Sequence, residues 1–513
     1  MRRENRAKGS MTVFLSMVLM VYMSLFLTLA ESICLEILSV RSMVISEQAI
    51  ESLHSMYLDA LWEEYGVTGM DLSLGRGEIS MPEIDGILMK YVEENASPAG
   101  GMLSVDYTGL RSEQACMDSY GLLSDAGGAP FVSLAVKYQL SHVGADLVDL
   151  VTDDLAASLM DSESISSELG ADIEQGSKAL EEARNAPEPT DEEREAWDQS
   201  RQAYPEKDWS GAQDPMPNAG SNLAGELLSI YFPPEEELYA KAIGLNETLS
   251  HRNRETGTER AMDIGVSDRL IYESYVLSKF SNFTEPAEEK HPLSYETEYI
   301  LAGKASDQEN LLGVIHRIMA MREAENLLSI MSDSAKIAEA GSFATTLVGA
   351  SGNPALIEIV KIGLIASWAY GESLLDMRAL LHGKKIPIIK APEDWTSTLC
   401  TLALCFDPHE QAREIAHGIG YKEYLRILLT AEKAENLGLR SMDLCEAVIR
   451  TRDGYGNICL DHLMYKGSYS FAYEAGPLFL SLVPEGEGKE FCLRREHRKG
   501  FSYIDSWYEA VGS

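Results

Sequence analysis

Between Ser10 and Tyr65 lie 56 residues without a glycine or a proline, and the first part of that run, Met11 to Ala30, carries no charge. Nothing in such a stretch punctuates a helix, so the spacing predicts one continuous helix over 10–66, closed by Gly66. The twenty apolar residues at its start would rise ~30 Å, the thickness of a bilayer core. Ser16, Ser24 and Thr28 are tolerated there because their hydroxyls can bond back to helix carbonyls. The flank before the span, residues 1–9, holds Arg2, Arg3, Arg6 and Lys8 against Glu4 alone, whereas Glu31 and Glu36 follow it. The positive-inside bias then puts the N-terminus in the cytoplasm as a basic leader and the remainder of the chain outside the cell membrane. A cleaved secretory signal would have a shorter apolar run and a better site than Thr28-Leu29-Ala30, so the expectation is a membrane anchor through residues 11–30.

The whole helix would measure ~84 Å, with about 50 Å clear of the membrane. In that outer part Ile50, Leu53, Tyr57 and Leu61 line one face, and Glu47, Glu51, Ser55, Asp59 and Glu63 step along the other. The apolar face reads as a stalk, a core contact, or a spine that bundles with copies of itself. Phe14, on the membrane segment, joins the same set of interface candidates.

Charge excludes some partners. The chain has 81 acidic and 43 basic side chains in 513 residues, a net −38. Phosphates would be repelled, which excludes a nucleic-acid partner, and broad adhesion to anionic lipid is excluded with it. Seven cysteines in a chain of this length do not make a disulfide scaffold, and the sequence leaves open whether Cys400 and Cys405 bridge.

Beyond the helix, residues 67–160 read as a first ectodomain portion, with a strand-like stretch at Phe131–Tyr138. Residues 161–222 read as an acidic linker: 161–215 hold 16 acidic and 5 basic side chains, and prolines interrupt them. Residues 223–513 read as the main, mostly helical ectodomain. Ser306-Asp307-Gln308-Glu309 is a capping box, and Asn353-Pro354 opens a helix reaching His382, apolar on nearly every side. A helix from Asp407-Pro408 to near Gly418 and helical pieces over Tyr421–Thr451 are also expected. Tyr469, Phe471 and Tyr473 then alternate with small residues, and Leu478–Val483, Phe491–Arg494 and Phe501–Ile504 follow, so a terminal antiparallel sheet closes the chain. The fold class is α+β, mostly helical.

Motifs for chemistry are sparse. Gly303-Lys304 and Gly383-Lys384 lack the glycine and hydroxyl spacing of a phosphate loop, and Gly349–Asn353 misses a nucleophile elbow by one position. His409 and His417 stand eight apart, too far for one ion on one helix face, although Glu410 and Glu414 lie between them. The sequence therefore predicts no catalytic residue, metal or cofactor. One contrast stands out in so acidic a chain: Arg494, Arg495, Arg498 and Lys499 form a basic patch suited to an acidic neighbour.

Lys8-Gly9-Ser10-Met11-Thr12-Val13-Phe14-Leu15-Ser16 and Leu61-Trp62-Glu63-Glu64-Tyr65-Gly66 resemble segments of an uncharacterised Gram-positive envelope family. So do Glu298–Lys304 with Glu309-Asn310-Leu311, Tyr421–Arg426 and Arg440–Leu444. The members are encoded beside tight-adherence (Tad) pilus genes and are likened to pseudopilins of the TadE/TadG kind. That resemblance implies a place in a pilus or secretion apparatus rather than a reaction, with Tad-like components or other copies of the chain as partners. It also implies Gly9-Ser10 as a processing site. The departure is that pilins carry a glutamate a few residues into the mature helix, about where this chain has Phe14, and no acid lies between Ser10 and Ala30. The alternatives are a membrane-tethered binding or sensing ectodomain and a hydrolase acting on wall polymers.

Overall fold

The computed structural model describes residues 2–96, 109–143, 153–186, 190–202, 204, 207–225, 228–259, 266–287, 289–349, 353–476 and 491–501. The fold is α+β and mostly helical. The chain divides into two compact units, each assembled from separated stretches: Met1–Tyr138 with Asn253–Asp263 and Ile449–Ser513, and Gln139–Arg252 with Ile264–Val448.

The first unit contains α1 (Arg2–His54), α2 (Asp59–Tyr65), α3 (Met81–Ala96), most of α4 (Asp125–Val143) and a four-stranded antiparallel sheet. Strand β3 (Leu463–Ala475) is central. It pairs along one side with β2 (Arg111–Leu122), and along the other with β4 (Phe491–Gly500) and the short β1 (Met70–Asp71). Alternation along β3 buries Tyr469, Phe471 and Tyr473 on one face, and α1 and α3 cover that face as parts of one core. The terminal sheet is therefore present, but half of it comes from residues 70–122. The Leu478–Val483 and Ile504 parts of the expectation lie outside the described residues.

Helix α1 runs unbroken to His54 as the absence of glycine and proline predicts, then yields to tertiary pairing. Tyr57 bridges Met70, and Leu58 donates its N–H to the Gly69 carbonyl at 2.8 Å. The chain resumes as α2 and stops at Gly66, whose φ of +66° is left-handed; a Cβ there would strike the Tyr138 ring at 2.1 Å. The strand expected at Phe131–Tyr138 is helix α4, entered through left-handed Ala126, Gly127 and Gly128 and then Pro130. The excursion 253–259 belongs to this unit because it stitches β2 to β3: Glu259 accepts from Ser119 at 2.9 Å and Ser468 at 2.5 Å.

The second unit is helical. Its elements are α5 (Asp153–Asn185), α6 (Asp191–Gln202), α7 (Met216–Gly225), α8 (Val266–Lys279), α9 (Glu296–Ala302) and α10 (Asp307–Ser332). They are followed by α11 (Ser334–Val348), α12 (Pro354–Leu381), α13 (Tyr421–Ala431) and α14 (Ala434–Arg450). The expected capping box at Ser306 and the Asn353-Pro354 start are both present. Helix α12, long and apolar enough to cross a membrane, is mostly buried and is the core helix of this unit. The acidic segment 161–222 is not a linker. Leu169, Ile173, Leu180, Trp209 and Met216 are buried, and α5 approaches α12 so closely that a Cβ on Gly176 would lie 2.9 Å from the Gly363 Cα. Along α5 the acids Glu168, Glu174, Glu181 and Glu182 are exposed while every third or fourth residue packs inward, and net charge conceals that spacing. The helix expected from Asp407 to Gly418 is instead irregular; Arg378 reaches into it, donating to the carbonyls of Cys405, Asp407 and Glu410 at 2.7–3.1 Å.

Buried charge ties this unit together. Lys390 lies between Glu372 and Asp376, and Arg322 donates to Asp376 at 2.8 Å and to the Pro387 and Ile388 carbonyls at 2.8 and 2.5 Å. Burial alone would raise Asp376, but Lys390 and Arg322 hold it below its ordinary value. Glu372 also accepts from the Ser397 N–H and hydroxyl, so the cluster fixes 385–397 onto α10 and α12.

Candidate functional site

Helix α1 has two apolar faces. Leu38, Ile45, Ala49 and Leu53 turn into the core of the first unit. The same side is fastened by hydrogen bonds: Ser46 to the Tyr473 hydroxyl at 2.8 Å, His54 Nε2 to the Tyr469 hydroxyl at 2.7 Å, and Arg495 donating to Ser42 and Ser39. His54 also stacks on Phe501 with ring centroids 4.6 Å apart. On the other side Ile33, Ile37, Val40 and Val44 are 61, 51, 61 and 43% exposed. Beside them runs a groove of about 510 Å³ lined by Glu36, Ile37, Val40, Arg41, Val44 and Asn95. An exposed apolar stripe of this length on a folded chain is the mark of an interaction surface.

The residues singled out from sequence fall on both sides of this distinction. Ile50, Leu53 and Leu61 are fully buried and Tyr57 half-buried, so these four are core of their own unit and not a surface for partners. The helix packs its amphipathic face onto its own sheet, and the stripe that stays open lies on the other side and nearer the apolar segment Met11–Ala30. Phe14 is exposed within Met11–Leu29, where every large apolar side chain but Val18 and Leu27 is open. Gly9 and Ser10 lie inside α1, with no break in the helix at that bond. In the basic patch, Arg495 and Lys499 are committed to α1, Lys499 through Glu51 at 2.9 Å, while Arg494 and Arg498 point from the opposite face of β4 and are exposed.

The second unit holds a smaller cavity of about 170 Å³ with a mixed lining: Ser166, Asn222, His316, Glu323, Tyr231 and Tyr370 together with Leu223, Ile230 and Met319. Burial pushes the Glu323 carboxyl up to about 7 against the Ser166 hydroxyl, which donates to it at 2.5 Å. Sequence could not find this site, because its residues come from α5, α7, α10, α12 and the turn at Tyr231 with no common spacing. Elsewhere Glu298, inside the Glu298–Lys304 segment, is pushed to about 7 by burial while accepting from Phe283 N–H and the Tyr421 hydroxyl at 2.9 and 2.8 Å. Together with Asp307, which takes the N–H groups of Ser294 and Tyr295, it pins the 281–295 loop. The role is architectural.

Cys459, Asp461 and His462 bring ligand-type atoms within 4.8 Å of one another. The Arg450 guanidinium lies 3.3 Å from the Cys459 sulfur, so a cation there would face a fixed positive charge. His409 turns to Asp407 and Glu235 and His417 to Asp394, on a segment that is irregular rather than helical. Cys400 is exposed and Cys405 buried, both as free thiols, with Cys405 pushed by burial up to about 12.

Fold and surface together define a mostly helical α+β chain whose near-N-terminal helix is long and apolar enough to cross a membrane. The chain belongs to a family of unknown function (DUF5702), whose profile matches residues 205–475. No curated protein and no solved structure matches it.

Proposed function

We propose that this chain is a membrane-anchored extracellular structural or assembly component, pseudopilin-like, of a Tad-type pilus or secretion apparatus. The observation that carries the reading is the division of labour on α1: one face holds the chain's own sheet and the other keeps an apolar stripe open from the membrane segment outward. A simple anchor needs no such stripe. The basic leader supports an N-terminus inside the cell, and the Lys8–Ser16 and Glu298–Lys304 segments supply the Tad association by resemblance. No enzymatic step is assigned. The buried carboxylates Glu298, Glu372 and Asp307 hold backbone amides and hydroxyls, which is a structural use of them.

The test is the mass of the N-terminal peptide, taken separately from sheared surface material and from membranes. A peptide beginning at Ser10 in the sheared fraction supports processing and a pilin-like place despite Phe14. The intact leader confined to membranes supports a fixed assembly component. A start at Glu31 overturns the reading. A binding or sensing ectodomain is the second reading, favoured by the cavity around Glu323. Glu323→Gln would then abolish signalling or ligand-dependent stabilisation while leaving the N-terminal mass and membrane fraction unchanged.

A further inference from the structure

The open stripe on α1 is a heptad seam. Ile33, Ile37, Val40 and Val44 are spaced 4, 3 and 4 residues apart, so Ile33 and Val40 take d positions and Ile37 and Val44 take a. One heptad earlier the same register falls on Phe26 and Ala30, inside the apolar segment. The flanks fit a parallel partner: Glu36 is at g and Arg41 at the following e, five residues on, the spacing at which g of one strand meets e of its neighbour in register. Arg41 donates to the Ala96 carbonyl at 2.6 Å, and a guanidinium with five donors bridges several acceptors at once. The groove between Val40, Val44 and Asn95 leaves room for side chains of a second helix.

From this we infer that α1 binds α1 of other copies of the same chain, parallel and in register, with Glu36 of one copy paired to Arg41 of the next. Lipid does not account for the stripe. Val40 and Val44 stand ~15–21 Å beyond Ala30 along the helix, past the headgroup layer, and Glu31, Glu36 and Arg41 mark where hydrocarbon has ended. A second copy offers the same apolar stripe at the same height, with the complementary charge. Copies inserted by one leader are necessarily parallel. β-Branched residues at both a and d in the aqueous part favour three strands over two. The inference rests on the membrane-anchored reading above and gives it a partner and a geometry that a staggered filament would not have.

The experiment is disulfide cross-linking of the full chain in its own membranes, in a background with Cys34, Cys116, Cys400, Cys459 and Cys492 changed to Ser, which leaves only the buried Cys405 and Cys445. Single cysteines replace Ile33, Ile37 or Val40 on the seam, and Ser32 or Ser39 off it. Linked pairs well above background at the three seam positions and not at the two controls are expected. Glu36→Arg or Arg41→Glu alone should lower the linked fraction severalfold, and the two together should restore it. Linkage equal at all five positions, or none at any, overturns the inference. So does linkage that appears only when two variants with cysteines at different heights are co-expressed, which would mean staggered packing. If cross-links are absent while the N-terminal mass still begins at Ser10 in sheared material, this seam has failed and the pilus reading stands. If the seam links but the peptide begins at Glu31, the reverse holds.

Discussion

Two groups with displaced proton affinities give the units opposite responses to pH. In the second unit Glu298 titrates near 7 against an ordinary 4.5, so the folded state holds its proton while the unfolded state has lost it. Its stabilising contribution is complete below pH 4.5 and is lost as pH rises through 7, about 3 kcal/mol across the window. Glu298→Gln should remove that decline, so thermal melts from pH 5 to 9 would be flatter for the variant than for the parent. In the first unit His54, well past the apolar segment, is lowered from 6.5 to about 4, chiefly by burial and then by Lys499. Here the unfolded state takes the proton first, so stability falls as pH drops from 6.5 toward 4. Protection factors of amides in β3 should decrease over that interval while those in α12 do not. Neither residue announces itself in the sequence. Glu298 sits in a segment rich in helix formers, and His54 looks like one more polar residue at a helix end; both acquire their character from burial, by packing that also brings Tyr421 and Tyr469, more than a hundred residues away, within hydrogen-bonding reach.

Among the elements, legibility follows how locally each is determined. Caps were readable because the donor and acceptor lie three residues apart, as at Ser306 and Glu309, and so was the uninterrupted α1. The alternation in β3 was readable because period two survives whatever the strand pairs with. What failed was decided at a distance: α1 ends where Tyr57 finds Met70, and α5 is a core helix only because α12 offers Gly363 to Gly176. That contact is testable. Gly363→Ala places a methyl against the α5 backbone, the Asp172 carbonyl at 3.1 Å included, and should destabilise the second unit by about 1–3 kcal/mol in chemical denaturation. An unchanged midpoint would mean that the acidic segment is a linker after all. The candidate surface was half legible: the amphipathic period of α1 pointed to an apolar face, but which of two faces stays open depends on where β3 and β4 dock.

For the molecule as a whole, the division into units does not follow the order of the chain. The first unit closes on its last strands, and β4 brings Arg495, Lys499 and, just after it, Phe501 to α1. Truncation after Ala475 should therefore leave α1, β2 and β3 open to limited proteolysis while 266–448 stays resistant; equal resistance of both regions would refute this. The pairing of Ser46 with Tyr473 spans 427 residues, so at ~5–20 residues/s the N-terminal helix exists for roughly 20–85 s before its sheet has been synthesised. During that interval the face of the helix that Tyr469, Phe471 and Tyr473 later cover is exposed along with the face that stays open. Under the α1–α1 pairing proposed above, copies would meet while the sheet is still being made, and the order of synthesis would become part of how the helices find one another.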